Sequence, residues 1–144
     1  MMKKSSCPDL DCKPRTKKAL SLWVRQRLYA EPDCTVEKAA EQMNMSVLQL
    51  KWYLYVVEKK SFSRLRKELR VKDAICLMVM NPDLPVSVVG RLVGEYDRSD
   101  FRRNFKSVTG RYPVSCRKRY PLLRLVLFCT HRDLRQVLRR HRLL

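Results

Sequence analysis

Apolar residues along this chain recur at helical spacing in short runs, each closed by a turn residue. In residues 16–29, Ala19, Leu20, Trp23, Val24 and Leu28 fall on one side of a helix, and Pro32 stops it. Thr35 can cap the next run, where Val36, Ala39, Ala40 and Met43 line one face and Asn44 suits the end. Ser46 can cap a third, with Leu50, Tyr53, Leu54 and Val57 inward. Ser61 or Ser63 opens a longer run that ends near Asn81 and Pro82. Phe62, Leu65, Leu69, Ala74, Ile75 and residues 77–80 supply its apolar side, while Arg64, Arg66, Lys67, Arg70 and Lys72 make its first half basic. At about 18 residues it would span roughly 27 Å, which suits a rigid spacer.

The pattern then repeats. Pro85 belongs in a helix first turn, Val86, Val89 and Val93 form the inner face, and Gly94 ends it. Asp97 or Ser99 caps a further helix with Phe101, Phe105 and Val108 inward at i, i+4, i+7. Gly110 ends that helix in the left-handed conformation, and Pro113 opens another short one. After Pro121, residues 122–144 hold one or two more helices. There Thr130 and Asp133 resemble a capping box, and Leu134, Val137 and Leu138 face Arg135, Arg139, Arg140 and Arg142. With almost no strand signal, the expected fold is all-α.

Two helix pairs overlay. Val36, Ala39, Ala40 and Met43 match Val86, Val89, Gly90 and Val93 fifty residues on. Leu50 and Leu54 match Phe101 and Phe105 fifty-one residues on. This is an internal helix–turn–helix repeat, in which small residues at Ala40 and Gly90 permit a tight helix crossing. The expected organisation is a flexible tail (1–15), a first helix–turn–helix subdomain (16–60), a linker helix (61–82), a second subdomain (83–120) and a basic helical extension (121–144).

Charge decides what such a repeat serves. The chain carries 32 Lys+Arg against 14 Asp+Glu, a net charge of +18, far more than solubility needs. Residues 61–144 hold 20 basic and 7 acidic residues, so the excess lies C-terminally. A polyanion partner follows, nucleic acid ahead of an anionic membrane. The apolar share of 45% is that of a globular chain rather than a disordered one. Residues 1–13 contain no apolar core of a signal peptide. The longest apolar runs, residues 75–80 and 125–128, fall far short of the ~18 residues that cross a bilayer. Six cysteines and two histidines (His131, His141) show no zinc-ligand spacing, so no metal is expected. Reduced thiols suit the cytosol.

At residues 84–118 the chain resembles the DNA-binding domain of AraC-type (AraC/XylS) transcription regulators. The residues that carry the likeness are Val93, Gly94, Ser99, Phe101, Arg103, Phe105, Lys106, Thr109, Gly110, Pro113 and Arg117. Residues 35–54 fit the first unit of that family more loosely, and Arg70 and Ala74 lie on the pattern of its linker helix. The likeness covers about residues 16–118. Three positions depart from it. Glu95 stands where phenylalanine is usual, Leu54 replaces an aromatic, and Glu58-Lys59 replaces Thr-Gly, which puts the first unit's exit turn in question.

The resemblance implies two reading helices in adjacent major grooves of double-stranded DNA, about one turn or ~34 Å apart, bound by a monomer. Arg98, Ser99, Arg102 and Arg103 are the candidate base readers of the second unit. Arginine pairs bidentately with guanine, although a salt-bridged face with Asp97 and Asp100 would use the same residues. In the first unit, Leu48, Gln49, Lys51, Trp52 and Tyr55 are candidates: Gln can read adenine, and Leu or Trp can touch a thymine methyl. The competing reading packs Trp52 and Tyr55 against a partner or the long helix. Lys106, Arg111 and Arg117, near helix ends, suit phosphates. The arginines after Arg132 leave open a third DNA contact, a contact with RNA polymerase, or a solvated surface.

The expected function is a sequence-specific, double-stranded DNA-binding transcription regulator of the bacterial cytoplasm, at the nucleoid, without cofactor. Only fifteen residues precede the first helix, so an effector domain is not expected. The alternative is a degenerate helix–turn–helix protein that works through protein–protein contacts. An enzyme is not expected: there is no phosphate loop, no paired catalytic carboxylates, and the histidines are remote from any evident nucleophile. Cysteine-based alkyl transfer is the one chemistry that such a DNA-binding unit could accompany.

Overall fold

Caps and left-handed turns set the helix boundaries. The computed structural model describes residues 12–117, which form seven α-helices and no strand: α1 (Cys12–Arg25), α2 (Val36–Gln42), α3 (Val47–Tyr53), α4 (Phe62–Met80), α5 (Val86–Leu92), α6 (Arg98–Thr109) and α7 (Pro113–Arg117). They divide into two compact units, residues 12–29 with 33–65, and residues 30–32 with 66–117. The expected tail up to residue 11 and the extension over 121–144, with its capping box and arginines, lie outside the described residues.

In the first unit, α1 begins at Cys12, so residues 12–15 are helical rather than tail. It ends at Arg25, and Leu28 lies in a 3-10 turn (Leu28–Ala30) because Arg27 adopts a positive φ of 56°. The Thr35 hydroxyl accepts the Lys38 N–H (3.2 Å) and opens α2. The Ser46 hydroxyl accepts the Gln49 N–H (3.1 Å) and opens α3. The core centres on Trp23, whose ring meets Tyr29 and Phe62 at 6.1 and 5.9 Å. Its indole N–H would be a buried donor without a partner, and it donates to Gln42 Oε1 at 2.8 Å. Leu20, Ala39, Ala40, Leu50, Tyr53 and Leu54 close around it.

After Tyr53 the helix widens into a π-helical segment (Leu54–Glu58). This corrects the expectation for Val57, which is exposed. A wider turn advances each residue by a smaller angle, so the inward stripe drifts off the core. The segment ends on Lys59, held in the left-handed conformation at φ 56°, ψ 34°. Fifty-one residues later Gly110 adopts the same conformation at the end of α6 (φ 76°). The exit turn therefore survives the loss of its glycine, with strain on a lysine. Lys59→Gly is expected to stabilise the first unit by about 1 kcal/mol, the penalty a Cβ incurs in this region, measured as a rise in the urea midpoint followed by tryptophan fluorescence.

The second unit repeats the first closely. Asn44 and Gly94 take positive φ values of 53° and 92° at the two interhelical turns. The Met45 and Glu95 N–H groups reach back to the Ala40 and Gly90 carbonyls at 3.0 and 2.8 Å. A Cβ on Gly90 would lie 3.1 Å from the Glu95 carbonyl oxygen and 3.2 Å from the Phe101 ring, so the expected close approach is real. Asp97, rather than Ser99, caps α6 by accepting the Asp100 N–H (2.8 Å). Val71, Leu77, Val89, Val93, Phe101 and Phe105 form the core, the two phenylalanine rings meeting edge to face at 5.9 Å. Pro85 precedes the first turn of α5 instead of entering it. Val108, in the last turn of α6, is exposed rather than inward.

Candidate nucleic-acid interface

Burial of Phe101 and Phe105 on one side of α6 turns Arg98, Ser99, Arg102, Arg103 and Lys106 outward, and all five are exposed. Ser99, Arg102, Arg103 and Lys106 line an open groove of about 710 Å³ together with Ser107 and Tyr112. Tyr112 organises it. Its ring lies 4.5 Å from Lys106 Nζ and 5.2 Å from the Arg102 guanidinium carbon. Its hydroxyl accepts from Lys106 Nζ at 3.3 Å. Cation–π attraction of this kind, roughly 0.5–1 kcal/mol at exposed sites, holds two like charges side by side. Tyr112 was not among the sequence candidates; an aromatic two residues beyond the Gly110 stop, in a basic stretch, was the available signal.

Arg103 donates to Asp100 Oδ1 at 2.7 Å, with both side chains largely exposed. Such surface pairs contribute about 0–1 kcal/mol, so Arg103 can exchange this partner for another at little cost. Asp100 thus holds Arg103 at the groove. Thr109 fixes the turn that carries Arg111: its hydroxyl lies 2.9 Å from the Phe105 carbonyl and accepts the Arg111 N–H at 3.2 Å. Arg111 itself is exposed. Arg117 is different. It is half-buried, donates to the Leu84 carbonyl oxygen, and carries a buried Nε without a partner. Its guanidinium, expected at a phosphate, ties α7 to the turn before α5.

The departure at Glu95 is resolved by the linker helix. Glu95 Oε1 accepts from Arg70 Nη1 and from Asn104 Nδ2, each at 3.3 Å. Arg70 Nη2 donates to the Glu31 carbonyl at 2.7 Å. Arg70 is buried and Glu95 half-buried, with side chains 6% and 14% exposed. A network of hydrogen-bonded charges therefore occupies the place where an aromatic core contact was expected. It ties α4, the turn after α5 and α6 together, and so holds the basic face of α6. Its specificity comes from geometry, since a buried pair gains little net energy over apolar packing.

On α3 the outward positions are Leu48, Lys51 and Trp52, and Tyr55 follows them on the π-helical segment. Leu48 is 64% and Tyr55 78% exposed. Trp52 is half-buried, with Lys13 Nζ 5.7 Å above its ring. Gln49 does not face outward freely: its Nε2 donates to the buried Thr16 hydroxyl at 3.0 Å and ties α3 to α1. This contact engages the amide that was expected to read a base. Cys34, Cys76 and Cys116 are buried. Burial pushes the Cys116 thiol up, against the opposing pull of Arg111, which is the reverse of an activated nucleophile.

No protein-family model and no curated protein matches the chain. Solved structures do. The chain is similar to the C-terminal domain of AraT, a response regulator from Geobacillus stearothermophilus, at 24% identity and a TM-score of 0.64, covering 73% of this chain and 84% of that one. It is also similar to the C-terminal domain of the two-component response regulator yesN from Fusobacterium nucleatum, at 20% identity and a TM-score of 0.60, covering 70% and 97%. A Listeria innocua protein of unknown function matches at 20% identity and a TM-score of 0.60, covering 71% and 93%. The fold is thus the double helix–turn–helix that the AraC-type resemblance implies. It is shared with the C-terminal domains of two response regulators.

Proposed function

We propose that this protein is a DNA-binding transcription regulator that inserts α3 and α6 into adjacent major grooves of one duplex, as a monomer. The observation that carries the reading is the gathering of Arg102, Arg103 and Lys106 around Tyr112 on the outer face of α6. A helix backed by buried phenylalanines and fronted by arginines suits guanine edges, and Lys106 and Arg111 suit phosphates. Base contacts fall to Arg98, Ser99, Arg102 and Arg103 in the second unit, and to Leu48, Lys51 and Trp52 in the first. Bound near a promoter, at the bacterial nucleoid, the protein recruits or blocks RNA polymerase.

The test is selection of duplexes from a random pool, followed by gel-shift titration. Arg103→Ala is expected to weaken the selected site by about 1–3 kcal/mol and to relax preference at one base pair. Lys106→Ala is expected to weaken all sequences alike. An Arg103→Ala protein that selects the same site as the wild type would remove α6 from the reading role.

A further inference from the structure

Resting on the DNA-binding reading above, we infer that the two reading helices recognise chemically different half-sites: α6 reads guanines, and α3 reads thymine methyl groups through Leu48 and Trp52. The repeat makes the comparison position by position. Ser99, Arg102, Arg103 and Lys106 of α6 correspond, fifty-one residues back, to Leu48, Lys51, Trp52 and Tyr55. Both sets face outward, and both helices start from a side-chain cap, at Ser46 and at Asp97. Three cations on the α6 face therefore become one in the first unit, and three apolar or aromatic groups replace hydroxyl, guanidinium and ammonium. The amide that could have read adenine, on Gln49, is held by Thr16. Lys51 aside, what α3 presents to a major groove is apolar or aromatic, and the apolar feature of a major groove is the C5-methyl group of thymine.

The surroundings of the face point to a polyanion rather than an apolar protein groove. Lys13 lies over Trp52 at one side. Tyr55 lines a cleft of about 450 Å³ with Lys59, Lys60, Ser61 and Arg64. Apolar side chains at the centre, flanked by lysines and an arginine, match a methyl-bearing groove between two phosphate backbones.

The test uses the duplex selected by the wild-type full chain, remade with deoxyuridine in place of thymidine one position at a time. Base pairing is unchanged and only a methyl is lost. Affinity is expected to fall roughly fourfold for each methyl in the α3 half-site, the worth of one buried carbon group. It is expected to stay constant at positions that depend on Arg103. Leu48→Ala, which truncates an exposed side chain and leaves the core intact, is expected to remove most of the uracil effect. Unchanged affinity for the fully uracil-substituted duplex overturns the inference while leaving Arg103-dependent binding, and so the function, in place. Uracil sensitivity undiminished in Leu48→Ala also overturns it. If neither the substitution nor Leu48→Ala with Trp52→Ala alters DNA selection, α3 does not read bases and the inference is overturned. Loss of selective duplex binding altogether would sink both readings together.

Discussion

Gly94→Ala is expected to destabilise the second unit by about 2–5 kcal/mol, the left-handed penalty and the overpacking together. Gly94 adopts φ 92° at the turn between α5 and α6, where a Cβ alone costs roughly 1–2 kcal/mol. The larger cost is steric. A Cβ there would overlap the Ala30 carbonyl oxygen and lie 2.8 Å from its carbon and 3.1 Å from its Cα. Those are backbone atoms of a segment pinned by the Glu31 carbonyl on Arg70, so no side chain can swing aside. Gly110 is the control. It also has a positive φ, but a Cβ there meets nothing within 4 Å, so Gly110→Ala costs about 1 kcal/mol. Both tryptophans lie in the first unit, so the effect is read from amide hydrogen exchange of α5 and α6. Equal protection in the Gly94→Ala and Gly110→Ala proteins would refute the packing argument.

The second large effect concerns binding. Arg102→Ala, Arg103→Ala and Lys106→Ala combined are expected to lower affinity for the selected duplex by a hundredfold or more. Two arginines at about 1–3 kcal/mol each suffice for that figure, before the phosphate contact of Lys106 is counted. All three side chains are exposed, so the helix keeps Phe101 and Phe105 as its anchors and the fold is preserved. Loss of the Tyr112 contacts removes only the ordering of two cations.

Much of this architecture was legible in the sequence because local chemistry fixed it. Thr35, Ser46 and Asp97 can each offer an oxygen to an N–H three residues on, and each does. Asn44, Gly94 and Gly110 mark left-handed turns by residue type. Lys59 could not be read that way, since a lysine gives no sign of a left-handed backbone; only its place in the repeat shows it. Gln49 and Arg117 make contacts the sequence did not show, and for one reason. Their partners, Thr16 and the Leu84 carbonyl, are thirty-three residues away in the chain, and helical periodicity says nothing about such contacts. The same holds for Glu95, whose partner Arg70 lies on the linker helix. In place of the usual phenylalanine stands a half-buried acceptor that takes a hydrogen bond from Asn104 of α6.

In the proposed function the α6 face binds the phosphates and bases of duplex DNA. Its most direct test is the salt dependence of duplex binding by the wild type and the triple variant, titrated in parallel. Each phosphate contact removed should reduce the slope of log affinity against log salt by about 0.9. The wild-type slope is expected to be steep and the variant's shallower by about 1, since Lys106 is the phosphate contact among the three residues. Equal slopes and equal affinities for the two proteins would contradict it.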